Sequence, residues 1–221
     1  MESIEFVWQF LVKGGLTMIP LALCSLFGLA IVIEKSLSLR EKKIIVPEIV
    51  TTLNAMRRDE DFNLAVAVCE KFDGPFSNII LTVLRNNKLP ANELKEMVEE
   101  TGRQEIRSLE RGLVALETVA GIAPLLGLLG TVIGILKVFD VISEIGVGQA
   151  SALSGGISEA LITTIVGLSI GIPAVVFYNF FADKAENLVL DIEKHSSQLI
   201  TRIKYWRSNA EMEHGNAAES K

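Results

Sequence analysis

Glu159 is the only formal charge in a long apolar run, Gln149 to Phe181. Keeping a carboxyl ionised at the centre of a bilayer costs roughly 2.5–3.5 kcal/mol on insertion scales. Such acids face a bundle interior or a water path, and the chemistry they first suggest is ion movement. Thr163 lies four residues on and shares a helical face with Glu159, whereas Thr164 is five on, about 140° round, and borders that face. On the preceding apolar run, Thr131 falls level with Thr164 when positions are reflected about a loop centred near residue 147. Glu159 then lies roughly one to two turns nearer that loop. An acid with hydroxyls at matching levels is a side-chain set suited to a proton or hydrated-ion route. Lys137 reflects to nearly the depth of Glu159, with Asp140 one turn along from it. A structural Lys137–Glu159 ion pair, with the threonines as packing, is therefore the competing reading. A third option has Lys137 snorkel to the headgroups.

The elements that must position these groups follow from hydropathy. The 221 residues are 49% hydrophobic yet 22% charged, with mean hydropathy +0.40, and the two characters are segregated along the chain. Residues 14–33, 118–141 and 152–181 are each long and apolar enough to cross a hydrocarbon core, which takes about 20 residues. The fold class expected is all-α: an integral membrane protein with three transmembrane helices, the second and third extended far into the cytoplasm. The segment Glu34–Glu117 holds 13 of the 21 Lys and Arg residues and Asp183–Lys221 holds 6, while the loop 142–151 has none. The positive-inside rule then puts residues 34–117 and the C-terminus in the cytoplasm and the N-terminus, 1–13, outside. A cleaved leader is not expected, because the opening MESIEFVWQFLVK is acidic and Glu34-Lys35 follows the first apolar run with no small-x-small site.

Within the polar segment Pro47 opens one helical pattern, DEDFNLAVAVCEKF a second, and Gly74-Pro75 and Asn86-Asn87 bound a third. From Ala91 to about Phe139 the pattern reads as one helix of roughly 50 residues, or about 75 Å. Beyond Phe181, the spacing of Ala185, Leu188, Val189, Ile192, Leu199 and Ile203 extends the third helix through residues 182–206 with one apolar stripe. That stripe is expected to pack on the helix carrying Met97, Ile106, Leu109 and Leu113. The tail, 207–221, is polar and aperiodic and is expected to be disordered.

Gly130-x-x-x-Gly134 and Gly167-x-x-x-Gly171 allow close helix approach, either within the chain or between copies. Gly121, Gly127, Gly155, Gly156 and Ala160 add small residues on further sides. Pro124 and Pro173 either kink their helices or are tolerated. Cys24 and Cys69 lack metal or disulfide spacing, and His195 and His214 have no second ligand nearby. There is no nucleotide-binding glycine fingerprint, nucleophile–base signature or basic nucleic-acid patch. No cofactor, metal, nucleic-acid partner or enzyme activity is expected.

The run AGIAPLLGLLGTVIGILKVFDVI (Ala120–Ile142), followed by GGISEALITTIVGLSIGIPAVVFYNFF (Gly155–Phe181), resembles the paired signature of the MotA/TolQ/ExbB proton-channel family. The likeness covers about 60 residues and is nearest the ExbB and TolQ branch, which has three spans where MotA has four. GGxxMxPL at Gly14–Leu21 and Glu34-Lys35 look familial too. The resemblance implies a homo-oligomer, a pentamer, around two copies of a single-span ExbD- or TolR-like partner whose membrane aspartate carries the proton. It implies a TonB- or TolA-like transducer carrying force to the outer membrane. By resemblance, Thr131, Glu159 and Thr164 match the pore-lining positions. Lys137 stands where close relatives have a neutral residue. Thr163 adds a hydroxyl where they usually have alanine, which opens a sodium-driven alternative, since hard cations favour oxygen ligands. A solute carrier would show inverted repeats or broken half-helices, and a purely structural scaffold needs no charge at Glu159.

Overall fold

The computed structural model describes residues 13–57, 61–146 and 150–219, and among these it is helical with no strand. The helices are α1 (Met18–Ser38), α2 (Glu41–Ile44), α3 (Pro47–Ala55), α4 (Phe62–Cys69), α5 (Pro75–Arg85), α6 (Ala91–Glu110), α7 (Leu113–Ile145) and α8 (Ala150–Glu219). Three of them, α1, α7 and α8, are long and apolar enough to span a membrane. Residues 1–12 of the expected N-terminal segment 1–13 lie outside the described residues. So do 147–149 of the expected loop 142–151, whose flanks are shorter than expected because α7 runs to Ile145 and α8 begins at Ala150.

Local chemistry sets the boundaries. Pro47 and Pro75 occupy the first turns of α3 and α5, where a missing N–H costs nothing. Asn86 closes α5. The single helix expected over 91–139 is broken at Arg111–Gly112, where Gly112 takes a left-handed φ of +91°. A side chain disfavours that conformation, and glycine does not. The break was foreseeable only as a tolerated glycine, because flanking helix formers masked it. Helix α8 continues to Glu219, since SNAEMEH contains no proline and its alanines and glutamates are good helix formers.

The chain divides into two compact units, one of Met1–Lys35 with Gly112–Phe181 and one of Ser36–Arg111 with Ala182–Lys221. The first contains the three apolar runs. Met18 and Leu21 of α1 and Ala123 of α7 form its buried cluster, with Cys24, Leu126, Val166 and Ile170 packed around them. The second unit is a small helical bundle. Phe76, Ile80, Val83, Ile49 and Ala65 of α3–α5 are buried in it, together with Ala185, Leu188, Ile192, Leu199 and Ile203 of α8. Those five α8 positions follow the predicted stripe. Of the expected facing stripe, Leu109 of α6 and Leu113 of α7 are buried and Ile106 is half-buried, while Met97 is exposed and Leu94 and Val98 are buried instead. Val189 and Ile106 line a groove of about 690 Å³ between α6 and α8. Arg202 explains part of this arrangement. Its guanidinium donates to the carbonyls of Leu53 (2.8 Å) and Met56 (2.5 Å), satisfying the open C-terminal end of α3, and its face lies 5.1 Å from the Trp206 ring. Arg207 does the same for Lys88 and Leu89.

Cys69 is fully buried in this unit, and burial followed by the neighbouring Glu70 charge pushes its thiol up to about 11. A group raised in the folded state contributes stability that is complete below its unfolded value, near 8.5. That contribution is lost as pH climbs through about 11. In a Cys24→Ser background, alkylation of folded Cys69 near pH 8 is expected to run at least about a hundredfold slower than that of an exposed thiol. Cys69→Ala should remove part of the stability loss between about pH 8.5 and 11. Equal reactivity of folded and denatured protein would contradict the burial.

Candidate functional site

Helices α7 and α8 run antiparallel and meet along a seam of small residues. A Cβ at Gly134 would fall 2.8 Å from the Ala160 side chain and from the Gly156 carbonyl, and one at Gly167 2.6 Å from the Ala123 carbonyl. Gly130 faces the Thr163 side chain, Gly127 faces the Thr163 carbonyl and the Gly167 backbone, and Gly171 faces the Pro124 ring, 2.5 Å from where its Cβ would stand. The four GxxxG glycines thus pack this chain on itself. Gly121 and Gly155 have nothing within 4 Å of an added Cβ, so they lie on open faces. Both helices continue through Pro124 and Pro173, and among the described residues the paired half-helices of a solute carrier are missing.

The seam divides the predicted constellation in two. On one edge the Thr131 and Thr164 hydroxyls are in direct contact, as the reflection about the loop predicts. Thr131 also donates to the carbonyls of Ala160 (3.1 Å) and Gly127 (3.3 Å), and Thr164 to that of Gly127 (3.2 Å). Each hydroxyl has one proton, so these contacts alternate, and the pair is a small polar cluster that remains half-buried. On the other edge Lys137 Nζ reaches both carboxylate oxygens of Glu159, at 2.6 and 2.8 Å. Lys137 is 52% exposed and Glu159 15%, so the pair is not sealed inside the protomer. Asp140 is exposed and forms no ion pair among the described residues.

Successive helical positions turn about 100°, which accounts for the division. On α8, Glu159 and Thr164 fall on opposite flanks of the line Gly156–Ala160–Thr163–Gly167 that meets α7. On α7, Lys137 and Thr131 likewise flank the line through Gly127, Gly130 and Gly134. Within the protomer the acid and the Thr131–Thr164 pair therefore stand on different edges of the seam. The Thr163 side chain, on the same helical face as Glu159, is fully buried in the space left by Gly130. Its hydroxyl donates to the carbonyls of Ala160 (2.9 Å) and Glu159 (3.1 Å). Within the protomer this hydroxyl is enclosed in the seam.

One residue of the site is missing from the sequence-based set. Gly15 has φ +68°, and a Cβ there would collide with the Glu159 carboxylate. Gly14 lies beside Ile162. The Gly14–Thr17 turn ahead of α1 thus covers the acid, and only glycine leaves room. The Gly-Gly pair was visible in the sequence, but its partner 144 residues away was not.

The chain is similar to proteins of one family. Residues 71–194 match the model of the MotA/TolQ/ExbB proton channel family. The chain is 31% identical over 162 residues to the biopolymer transport protein ExbB of Neisseria gonorrhoeae, covering 67% of this chain and 74% of that one. It is 29% identical over 170 residues to the ExbB-like 3 biopolymer transport protein of Synechocystis, covering 76% and 81%. With ExbB of Aquifex aeolicus it shares 40% identity over 87 residues, which is 39% of this chain and 59% of the relative.

Proposed function

Because the chain belongs to the MotA/TolQ/ExbB proton channel family, we propose that it is the channel subunit of an inner-membrane complex using the proton-motive force for envelope work. That work is biopolymer transport of the kind named for its ExbB relatives. In this reading the N-terminus is periplasmic and the helical bundle cytoplasmic, supported by the Lys and Arg distribution. Copies of the chain form a ring, a pentamer. The ring encloses a single-span ExbD- or TolR-like partner with a membrane aspartate, and a TonB- or TolA-like protein carries force outward. Open glycines at Gly121 and Gly155, with exposed Leu125, Val132, Ile165 and Ile172, leave apolar surface for neighbouring copies or lipid.

The observation that carries the proposal is the Thr131–Thr164 hydroxyl pair, half-buried and joined across the seam at a depth otherwise apolar. These hydroxyls line the shared axis. Glu159, toward the periplasmic end and beside the exposed Lys137, is the acid that exchanges protons with the outer side. The test is proton flux in vesicles containing the chain with its single-span partner. Thr131→Val with Thr164→Val should lower flux by about tenfold or more, the scale of losing proton-transfer groups, with assembly intact. Thr118→Val is the control, since Thr118 only bonds its own Val114 carbonyl. Equal flux in the double variant and the wild type would rule the hydroxyls out.

A further inference from the structure

Away from the seam, Arg40, Lys42, Lys43 and Lys184 converge with Glu41 and Leu37 on an open cavity of about 720 Å³. Four cations and one anion give this lining a formal charge of +3 (4 − 1). Its level is set by the chain. Leu37 is in the last turn of α1, four residues beyond Ile33, where the first apolar run ends, and Lys184 is three beyond Phe181, where the last one ends. Both therefore emerge where hydrocarbon gives way to headgroups. Arg40, Lys42 and Lys43 are exposed, and none has an ion-pair partner among the described residues. Glu41 lies among them without neutralising them. Leu37 is 54% exposed at the same rim, offering apolar contact beside the charges.

Snorkelling lysines scattered round a helix end would satisfy the positive-inside rule without sharing a cavity. Here basic groups from the α1–α2 region and from α8, some 140 residues apart, face one space. A phosphodiester with an apolar tail matches that combination, and basic pockets at this depth favour anionic lipid. We propose that this cavity binds the headgroup of an anionic phospholipid, with Lys42, Lys43 and Lys184 on the phosphate and Leu37 against the glycerol and first acyl carbons. The proposal needs only the membrane-spanning assignment and is independent of any proton route.

The test uses the full chain in vesicles of phosphatidylcholine with a minor fraction of phosphatidylglycerol, followed by native mass spectrometry of the lipid retained. Wild type should hold phosphatidylglycerol in preference to phosphatidylcholine. The variant with Lys42→Gln, Lys43→Gln and Lys184→Gln should lose that preference by about tenfold or more, as expected for three phosphate contacts. Arginine at the same three positions should keep it, which shows that charge rather than folding is being read. The variant with Lys95→Gln and Arg103→Gln, altered in the other groove, should behave as wild type. Undiminished preference in the triple glutamine variant would overturn the proposal. So would displacement of the lipid by millimolar inorganic phosphate, which would mark a site for free phosphate.

Discussion

Glu159→Gln, in the full chain assembled with the single-span partner proposed for it, is expected to lower proton flux by about a hundredfold or more while the complex still forms. Glutamine keeps the shape and the contact over Gly15 but cannot exchange a proton. The ion pair to Lys137 (2.6 and 2.8 Å) provides a rival account in which Glu159 is merely structural. A double-mutant cycle separates the two. With Lys137 more than half exposed, the pair contributes on the order of 1 kcal/mol where water reaches it. Lys137→Met alone should therefore cost little stability and leave flux within a few-fold of wild type. If the acid served only the pair, Glu159→Gln combined with Lys137→Met would restore flux, because neither charge would then be stranded. We expect the double variant to stay as inactive as Glu159→Gln alone. Recovery of flux in it would refute the proton-exchange role.

The second large effect concerns the α7–α8 seam. At Gly167 even an alanine Cβ would stand 2.6 Å from the Ala123 carbonyl and 2.9 Å from the Gly127 Cα, and backbone atoms cannot swing aside as side chains do. The helices must separate, which strains every contact from Pro124–Gly171 to Gly134–Gly156. Gly167→Ala is expected to cost about 1–3 kcal/mol and Gly167→Val more. The readout is the unfolding midpoint in detergent and the loss of assembled complex. Gly121→Ala is the counterpart. With nothing within 4 Å, it should leave the protomer as stable or slightly more so, since alanine is the better helix former by about 1 kcal/mol. A failure of Gly121→Ala to assemble, with the protomer intact, would place a neighbouring copy against that face. Equal stability of Gly167→Ala and Gly121→Ala would contradict the seam.

Legibility varied with the range of the interaction. Three spans, the proline-opened helices α3 and α5, and the buried stripe of α8 were readable because hydropathy and periodicity are local. The level match of Thr131 with Thr164 was readable too, since a short connection between antiparallel helices leaves little freedom in register. The break at Gly112 was not, because one glycine among good helix formers is tolerated in most settings and only the fold selects its left-handed conformation. The enclosure of Thr163 in the seam was not legible for a related reason. The 40° offset of Thr163 from Glu159 follows from helical pitch, but which side of that face meets α7 depends on where the glycines of α7 lie.

By itself the order of residues determined that this chain crosses a membrane three times, carries one acid in its last span, and keeps hydroxyls at a common depth. Those properties are written in runs of neighbouring residues, and each is enforced by the cost of leaving polar groups in hydrocarbon. Only the tertiary structure decided that Glu159 leans to Lys137 and under Gly15 while Thr131 and Thr164 meet on the opposite flank of the seam. Side-chain direction across a helix pair is set by which small residues let the backbones close, and that is a property of both helices together.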